Sequence, residues 1–466
     1  MAPLLTNVNN QSDFVCDTAD YVLEAIIPVI SIMLACATID LGGVTTFALD
    51  NMISAASLGL ILVSLWGAEF VSAQSLVVNT FGPASVSDVA NLKITASIKN
   101  VGTETLRLLN DPNSILSPWE TNSFQVARAE SNLVNSAPLN FTGIRVKYSP
   151  TAAVKSGLPE LFTVIEPGAT VNITHNLAST YDFTGKGGGA GKYKLKASTS
   201  ARTFLSVGTN GTIRALEAKE EHVAEVAVSG RLSGPKFQPG APGAAHGTGS
   251  FQQGKSIAKR ASFRGCNDGQ ISQISSAVDR ATNMAHGAHG FLRDGAWGTR
   301  RYIEWFGAWD QNRYQLVFGH YDAIRFNPPN FMYDCTCTDP GVYAYVIIPG
   351  HFQEVYLCGA FWNAPLEGTD SKAGTIIHEA SHFPEYAGTS DHAYGQSACR
   401  DLAKSDPGRA VMNAEYVAQP AEMECCAYLP PLIALTSTSP KMNRGWAGEQ
   451  RILPIAVVNP RDEDCN

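Results

Sequence analysis

The sequence predicts an α+β protein: an all-β, sandwich-like region over residues 74–232, then a mainly helical domain with a small β-sheet over 261–418. Three observations lead there. Residues 75–232 alternate apolar and polar positions, as in Leu92-Lys-Ile-Thr-Ala-Ser-Ile-Lys and Lys192-Tyr-Lys-Leu-Lys, with turn formers between them, the period of half-buried antiparallel strands. From Ser272 the period changes: Ile274, Ala277, Val278 and Ala281 recur at helical spacing, and a second helix is expected from Tyr302 toward Phe318. Between the two patterns, residues 233–260 are rich in Gly, Pro, Ala, Ser and Gln without periodicity, a linker that ends in the basic pair Lys259-Arg260.

At 466 residues the chain exceeds one ordinary core, so two domains plus flanking segments are expected. Before the first basic residue, Lys93, lie two apolar runs, around residues 21–37 and 52–73. The second reads as a signal peptide, with Leu58-Gly-Leu60-Ile-Leu62-Val63 as its apolar core and small residues at Val71-Ser72-Ala73. Translation is then expected to begin at Met52, with residues 1–51 an extension outside the exported product. Pro28 and the acidic residues around the first run disfavour a stable membrane span. Three sequons, at Asn140, Asn172 and Asn210, fall in the β region. Of ten cysteines, Cys16 and Cys36 precede the expected start and eight occur from Cys266 onward. An even number in an exported domain reads as disulfides. Cys335-x-Cys337 is too tight for an easy mutual bridge, so each should pair elsewhere.

The chemistry concentrates in Gly374-Thr-Ile-Ile-His378-Glu379-Ala-Ser-His382. Residues four apart lie on one helix face, so His378 and His382 can present two imidazoles to one Zn²⁺ while Glu379 stands beside it as a general base. A catalytic zinc site needs a third ligand off the helix. Pro384 should end the helix, and Gly388 permits a reversal that returns Asp391 toward the metal. His392 is the rival, and neighbouring side chains on a turn point apart, so the two are not expected to ligate together.

Gly374-Thr375 before the HExxH, then Gly388-Thr389-x-Asp391-x-x-Tyr394-Gly395, resembles the aspzincin signature of the deuterolysin and peptidyl-Lys metalloendopeptidase family, secreted fungal zinc endopeptidases. Arg301-Tyr-Ile-Glu-Trp305-Phe306-Gly, Asp334-Cys335-Thr-Cys337-Thr-Asp and Tyr356-Leu-Cys358-Gly-Ala-Phe-Trp362 extend the resemblance over about 266–418. A weaker likeness to the family's propeptide covers about 75–232. The resemblance implies a zincin-like fold holding one Zn²⁺ per chain. It makes His378, His382 and Asp391 the ligands, Glu379 the residue that activates water, and Tyr394 a stabiliser of the transition state. It also implies disulfides Cys266–Cys335 and Cys337–Cys358. Cleavage after Lys259-Arg260 would then free a catalytic domain from a β-rich propeptide that assists its folding and keeps it silent. Zinc peptidases lay substrate along an edge strand. Tyr343–Val346 and Glu354–Leu357 both qualify.

Residues 1–260 hold 12 Lys and 7 Arg, whereas 261–466 hold 3 Lys and 12 Arg. An endopeptidase cutting before lysine destroys itself less when its own mature form is lysine-poor. Acidic residues number 19 and 23 in the same segments, so the second carries the whole charge of −8 and draws cationic substrates. A lysine pocket needs an ionised carboxylate at its end, and in Asn413-Ala-Glu-Tyr-Val-Ala418 the acid is Glu415. Beyond Ala418 the likeness fades into a divergent tail, 419–466. The expected activity is that of a secreted, monomeric endopeptidase acting on proteins or peptides with Lys on the amino-group side of the cut. Deuterolysin-like breadth and an inactive zinc-binding protein are the alternatives. The acidic balance excludes nucleic acid as a partner class, and no stable membrane association is expected after processing.

Overall fold

The computed structural model describes residues 74–129, 139–185, 188–234, 251–253 and 261–422. The expected extension 1–51, the signal peptide, Lys259-Arg260 and nearly all of the tail lie outside the described residues.

The alternating region forms three four-stranded sheets. In the first, Lys93–Asn100 pairs antiparallel with Leu76–Phe81 on one side and Thr170–Asn176 on the other. The alternation is realised directly: Ile94, Ala96 and Ile98 are buried while Lys93 and Lys99 are exposed. Inward residues of the three sheets, among them Val78, Ile98, Leu108, Val126, Leu195, Phe204 and Val226, share one apolar core. One helix interrupts the strands, α1 (Pro150–Ser156), started by Ser149, whose hydroxyl accepts from the Ala152 N–H, and ended at Gly157 with φ 68°.

The helical half is built on α2 (Asp268–Arg293), which begins in a capping box between Asn267 and Gln270 and buries Ile274, Ala277, Val278 and Ala281. The helix expected from Tyr302 toward Phe318 is instead two, α3 (Arg300–Phe306) and α4 (Gln311–Ile324). Gly307 breaks it with φ 75°, and an added Cβ there would stand 2.6 Å from the Ala403 carbonyl oxygen. Asp310 then caps α4 by accepting from the Arg313 N–H. Helices α5 (Gly359–Asn363), α6 (Lys372–His382), α7 (Gln396–Ser405), α8 (Pro407–Ala410) and α9 (Ala414–Glu422) follow. Every residue of α6 is buried, so this helix lies inside the core instead of on it. Its surroundings include Met284, Trp305, Tyr321, Val355 and Tyr416.

A six-stranded mixed sheet joins the two regions. Its strands are β1 (Ile144–Tyr148), β2 (Phe251–Gln253), β3 (Ser262–Arg264), β4 (Met332–Asp334), β5 (Val342–Ile347) and β6 (Glu354–Leu357), in the order β2-β3-β4-β6-β5-β1. Strand β6 has a neighbour on each side, so of the two strands considered for substrate only β5 faces outward. That outward side is taken by β1, which runs antiparallel to it and pairs Val146 with Tyr345 and Ile144 with Ile347. Cys266–Cys335 and Cys337–Cys358 are both bonded, the second tying the segment before β5 to the end of β6. Among the described residues no helix is long and apolar enough to cross a membrane.

Candidate metal centre

Helix α6 starts at Ser371, whose hydroxyl accepts from the Gly374 N–H at 2.9 Å, and stops at Phe383, which adopts extended ψ 125° ahead of Pro384. The chain then reverses through Gly388, at φ 61°, and is fastened back on the helix by the Thr389 N–H donating to the Ser381 carbonyl at 3.0 Å. Ser390 bridges to Asn413, whose side-chain oxygen accepts from the His392 and Ala393 N–H groups at 2.7 and 3.1 Å. Asp391 is thereby held by backbone contacts on both sides.

This brings Asp391 Oδ1 to 3.2 Å from His378 Nε2 and 3.4 Å from His382 Nε2. Ligand atoms of the three residues lie within 4.8 Å of one another, the one such cluster among the described residues. The three facing atoms are buried without a hydrogen-bond partner of proper geometry. Their rear atoms are engaged: His378 Nδ1 meets Glu415 Oε2 at 3.2 Å, and His382 Nδ1 meets the Thr389 carbonyl at 3.1 Å. Two oriented imidazoles and one carboxylate, left unsatisfied toward a common point, are the donor set that suits Zn²⁺, and the residues fit the ion. His392 is absent from this group and accepts from Arg409 Nη2 at 3.3 Å.

Burial dominates the electrostatics. It opposes charge on His378, but the adjacent carboxylates of Asp391 and Glu415 carry that imidazole up to about 9. It would raise Asp391 also, yet the two histidines hold the carboxyl well below the usual range. Glu379 is wholly buried, neither of its oxygens has a hydrogen-bond partner, and desolvation pushes it up to about 8. Tyr394 stacks its ring 6.5 Å from that of His378. Its hydroxyl donates to the Val146 carbonyl at 3.0 Å and accepts from Asn113 Nδ2 at 3.1 Å. Glu415 is buried with its Oε2 at 2.5 Å from Lys147 Nζ, and the lysine's charge keeps the carboxyl far below its ordinary value despite burial.

The sequence reading brought His378, Glu379, His382, Asp391, Tyr394 and Glu415 forward, and all six lie around this point. It missed Asn113, Val146, Lys147 and Asp370, the last with Oδ1 3.6 Å from Lys147 Nζ. One signal was present: Arg145 and Lys147 stand two apart in a strand, on one face, and a cation that such a strand buries, as Lys147 is here, requires acidic partners.

A family profile described as lysine-specific metallo-endopeptidase matches residues 293–419. A peptidyl-Lys metalloendopeptidase of Grifola frondosa is 38% identical over 77% of this chain and 96% of its own length. A second, from Armillaria mellea, is 36% identical over 74% of this chain and 90% of its own. An extracellular protease of Aeromonas hydrophila is 29% identical over 78% and 96% respectively. The solved structure of a zinc peptidase from Grifola frondosa, 40% identical, covers 34% of this chain and 99% of that one with a TM-score of 0.33. With the cluster of donors on α6 and this extent of likeness, the chain belongs to the aspzincin family of zinc metalloendopeptidases.

Proposed function

We propose that His378, His382 and Asp391 bind one Zn²⁺ per chain, that Glu379 is the general base, and that the enzyme hydrolyses peptide bonds on the amino side of lysine. One observation carries the reading: three orphaned donors converge beside a carboxylate that is itself buried and unpaired. Zinc bound there supplies Lewis-acid polarisation of the scissile carbonyl and a lowered water pKa. Glu379, buried beside the three donors, takes a proton from the attacking water and returns it to the leaving amine. The Tyr394 hydroxyl donates to the carbonyl oxygen as charge collects there. Glu415 closes the subsite for the lysine ammonium, with Asp370 nearby, in keeping with the fungal relatives' being peptidyl-Lys metalloendopeptidases.

The remaining organisation follows the same reading. Residues 52–73 direct export, 74–232 form the propeptide, 233–260 are the linker cut after Lys259-Arg260, and 261–418 form the secreted, monomeric peptidase, with 419–466 a divergent tail. The test is digestion of a denatured protein by the processed enzyme, with and without a chelator, beside Glu379→Gln. New N-termini should be lysine, and both controls should be silent. Cuts scattered without regard to lysine would refute the specificity, and cutting by Glu379→Gln would refute the mechanism.

A further inference from the structure

Strand β1 belongs to the N-terminal region, yet it lies where a substrate of this site would lie. It is antiparallel to β5, the outward strand of the catalytic sheet, in continuous register from Ile144 to Lys147. Peptides that bind by adding a strand gain affinity from such main-chain pairing and specificity from alternate side-chain pockets. Both are present here. The Val146 carbonyl accepts from the Tyr394 hydroxyl at 3.0 Å. The same hydroxyl is held there by Asn113 Nδ2 at 3.1 Å, from the N-terminal region as well. The Lys147 side chain, 3% exposed, reaches Glu415 at 2.5 Å and Asp370 at 3.6 Å. Lys147 therefore presents its ammonium to the acidic pocket, while the preceding carbonyl meets the Tyr394 hydroxyl.

We propose that β1 is a tethered substrate: it fills the cleft of the uncut chain, and the Val146–Lys147 peptide bond is a site of self-hydrolysis. Water adds across that bond. The Val146 carbonyl carbon gains the hydroxyl and becomes a carboxylate, and the Lys147 nitrogen gains a proton and leaves as an α-amine. No oxidant or second reactant is required. Cleavage divides β1 in its middle, which removes the continuous ladder that holds it on β5, and the cleft opens. Arg145, two residues before Lys147, stacks its guanidinium 4.6 Å from the Phe141 ring centre and so holds the strand in place before the cut. The inference rests on the lysine-directed reading above.

The test uses the full chain, purified metal-free and then given zinc. A fragment beginning at Lys147 should appear at a rate independent of chain concentration, and should be absent from Glu379→Gln. An added fluorescent Val–Lys peptide should be hydrolysed after a lag that ends as the cut completes. In the Lys147→Gln chain the lag should vanish while β1 remains uncut. As a readout independent of turnover, the labelled peptide should bind the metal-free Glu379→Gln chain at least about tenfold more tightly once Lys147→Gln is added, because occupation of the cleft reduces the competent population. An intact Val146–Lys147 bond in a chain that hydrolyses the peptide without a lag overturns this inference alone. If the added peptide is never hydrolysed, even by chain processed at Lys259-Arg260, the peptidase reading fails and takes this inference with it. Mapping of the wild-type fragment decides the matter should Lys147→Gln not fold.

Discussion

Glu415 Oε2 stands 3.2 Å from His378 Nδ1, while the same oxygen holds the Lys147 ammonium at 2.5 Å. One carboxylate thus backs the histidine proposed to hold zinc and ends the pocket proposed for lysine. Charge in the pocket and tuning of the metal are coupled through it.

The coupling predicts two losses from Glu415→Gln. Zinc affinity should fall about 10–100-fold, the range for partners behind a metal-bound histidine, and the preference for lysine should weaken in the same variant. A competitive zinc titration and a cleavage-site profile measure them separately. Unchanged zinc affinity would remove Glu415 from the metal's support.

Glu379 and Tyr394 should separate cleanly from the ligands. Glu379→Gln is expected to retain zinc by elemental analysis while losing about 10²–10⁴ in turnover. Tyr394→Phe should lose about 10²–10³ in kcat with KM little altered, as for removal of a donor that acts on the developing oxyanion. A fall in zinc content in either variant contradicts these roles.

Three buried donors facing one another without partners penalise the metal-free fold, so zinc should stabilise it. At free zinc one hundredfold above the dissociation constant the gain is about 2.7 kcal/mol. Thermal unfolding with and without chelator measures it. Asp391→Ala should abolish most of the difference, and a zinc-dependent rise of equal size in that variant would place the ion elsewhere.

His175 and His320 give stability a pH dependence. Desolvation lowers both to about 4 from the ordinary 6.5. The unfolded chain then binds more protons between these values, so the contribution is fully present above pH 6.5 and is lost as pH falls toward 4. Asp111, raised to about 6 by burial, works in the opposite sense over part of the range, as do Glu120 and Asp339, whose carboxyls burial also raises. Between pH 7.5 and pH 5 the urea midpoint of His320→Phe should fall less, or rise more, than that of the wild-type chain.

Local pattern carried much of this architecture. Lys93–Asn100 alternates in burial as its residues alternate in polarity, and α2 buries the predicted Ile274, Ala277, Val278 and Ala281. Gly388 and Pro384 disclosed the turn that returns Asp391 because their backbone limits are intrinsic to those residues. The break between α3 and α4 was harder to read, since Gly307 is tolerated in many helices and is decisive here through its approach to Ala403. Val146, Lys147 and Asn113 were beyond local reasoning. Their place at the metal centre depends on β1 pairing with β5 almost two hundred residues later in the chain, and no periodicity encodes a partner at that distance.

The pairing of β1 with β5 also bears on how the enzyme is made. A chain synthesised without its N-terminal half would leave Val342–Ile347 with a bare row of N–H and C=O groups, and would uncover Val342, Tyr345 and Ile347, which pack with Trp119, Ile144 and Val146 in the complete chain. Such an edge invites a second molecule, so recombinant production that begins at residue 261 should yield aggregates wherever the complete precursor stays dispersed.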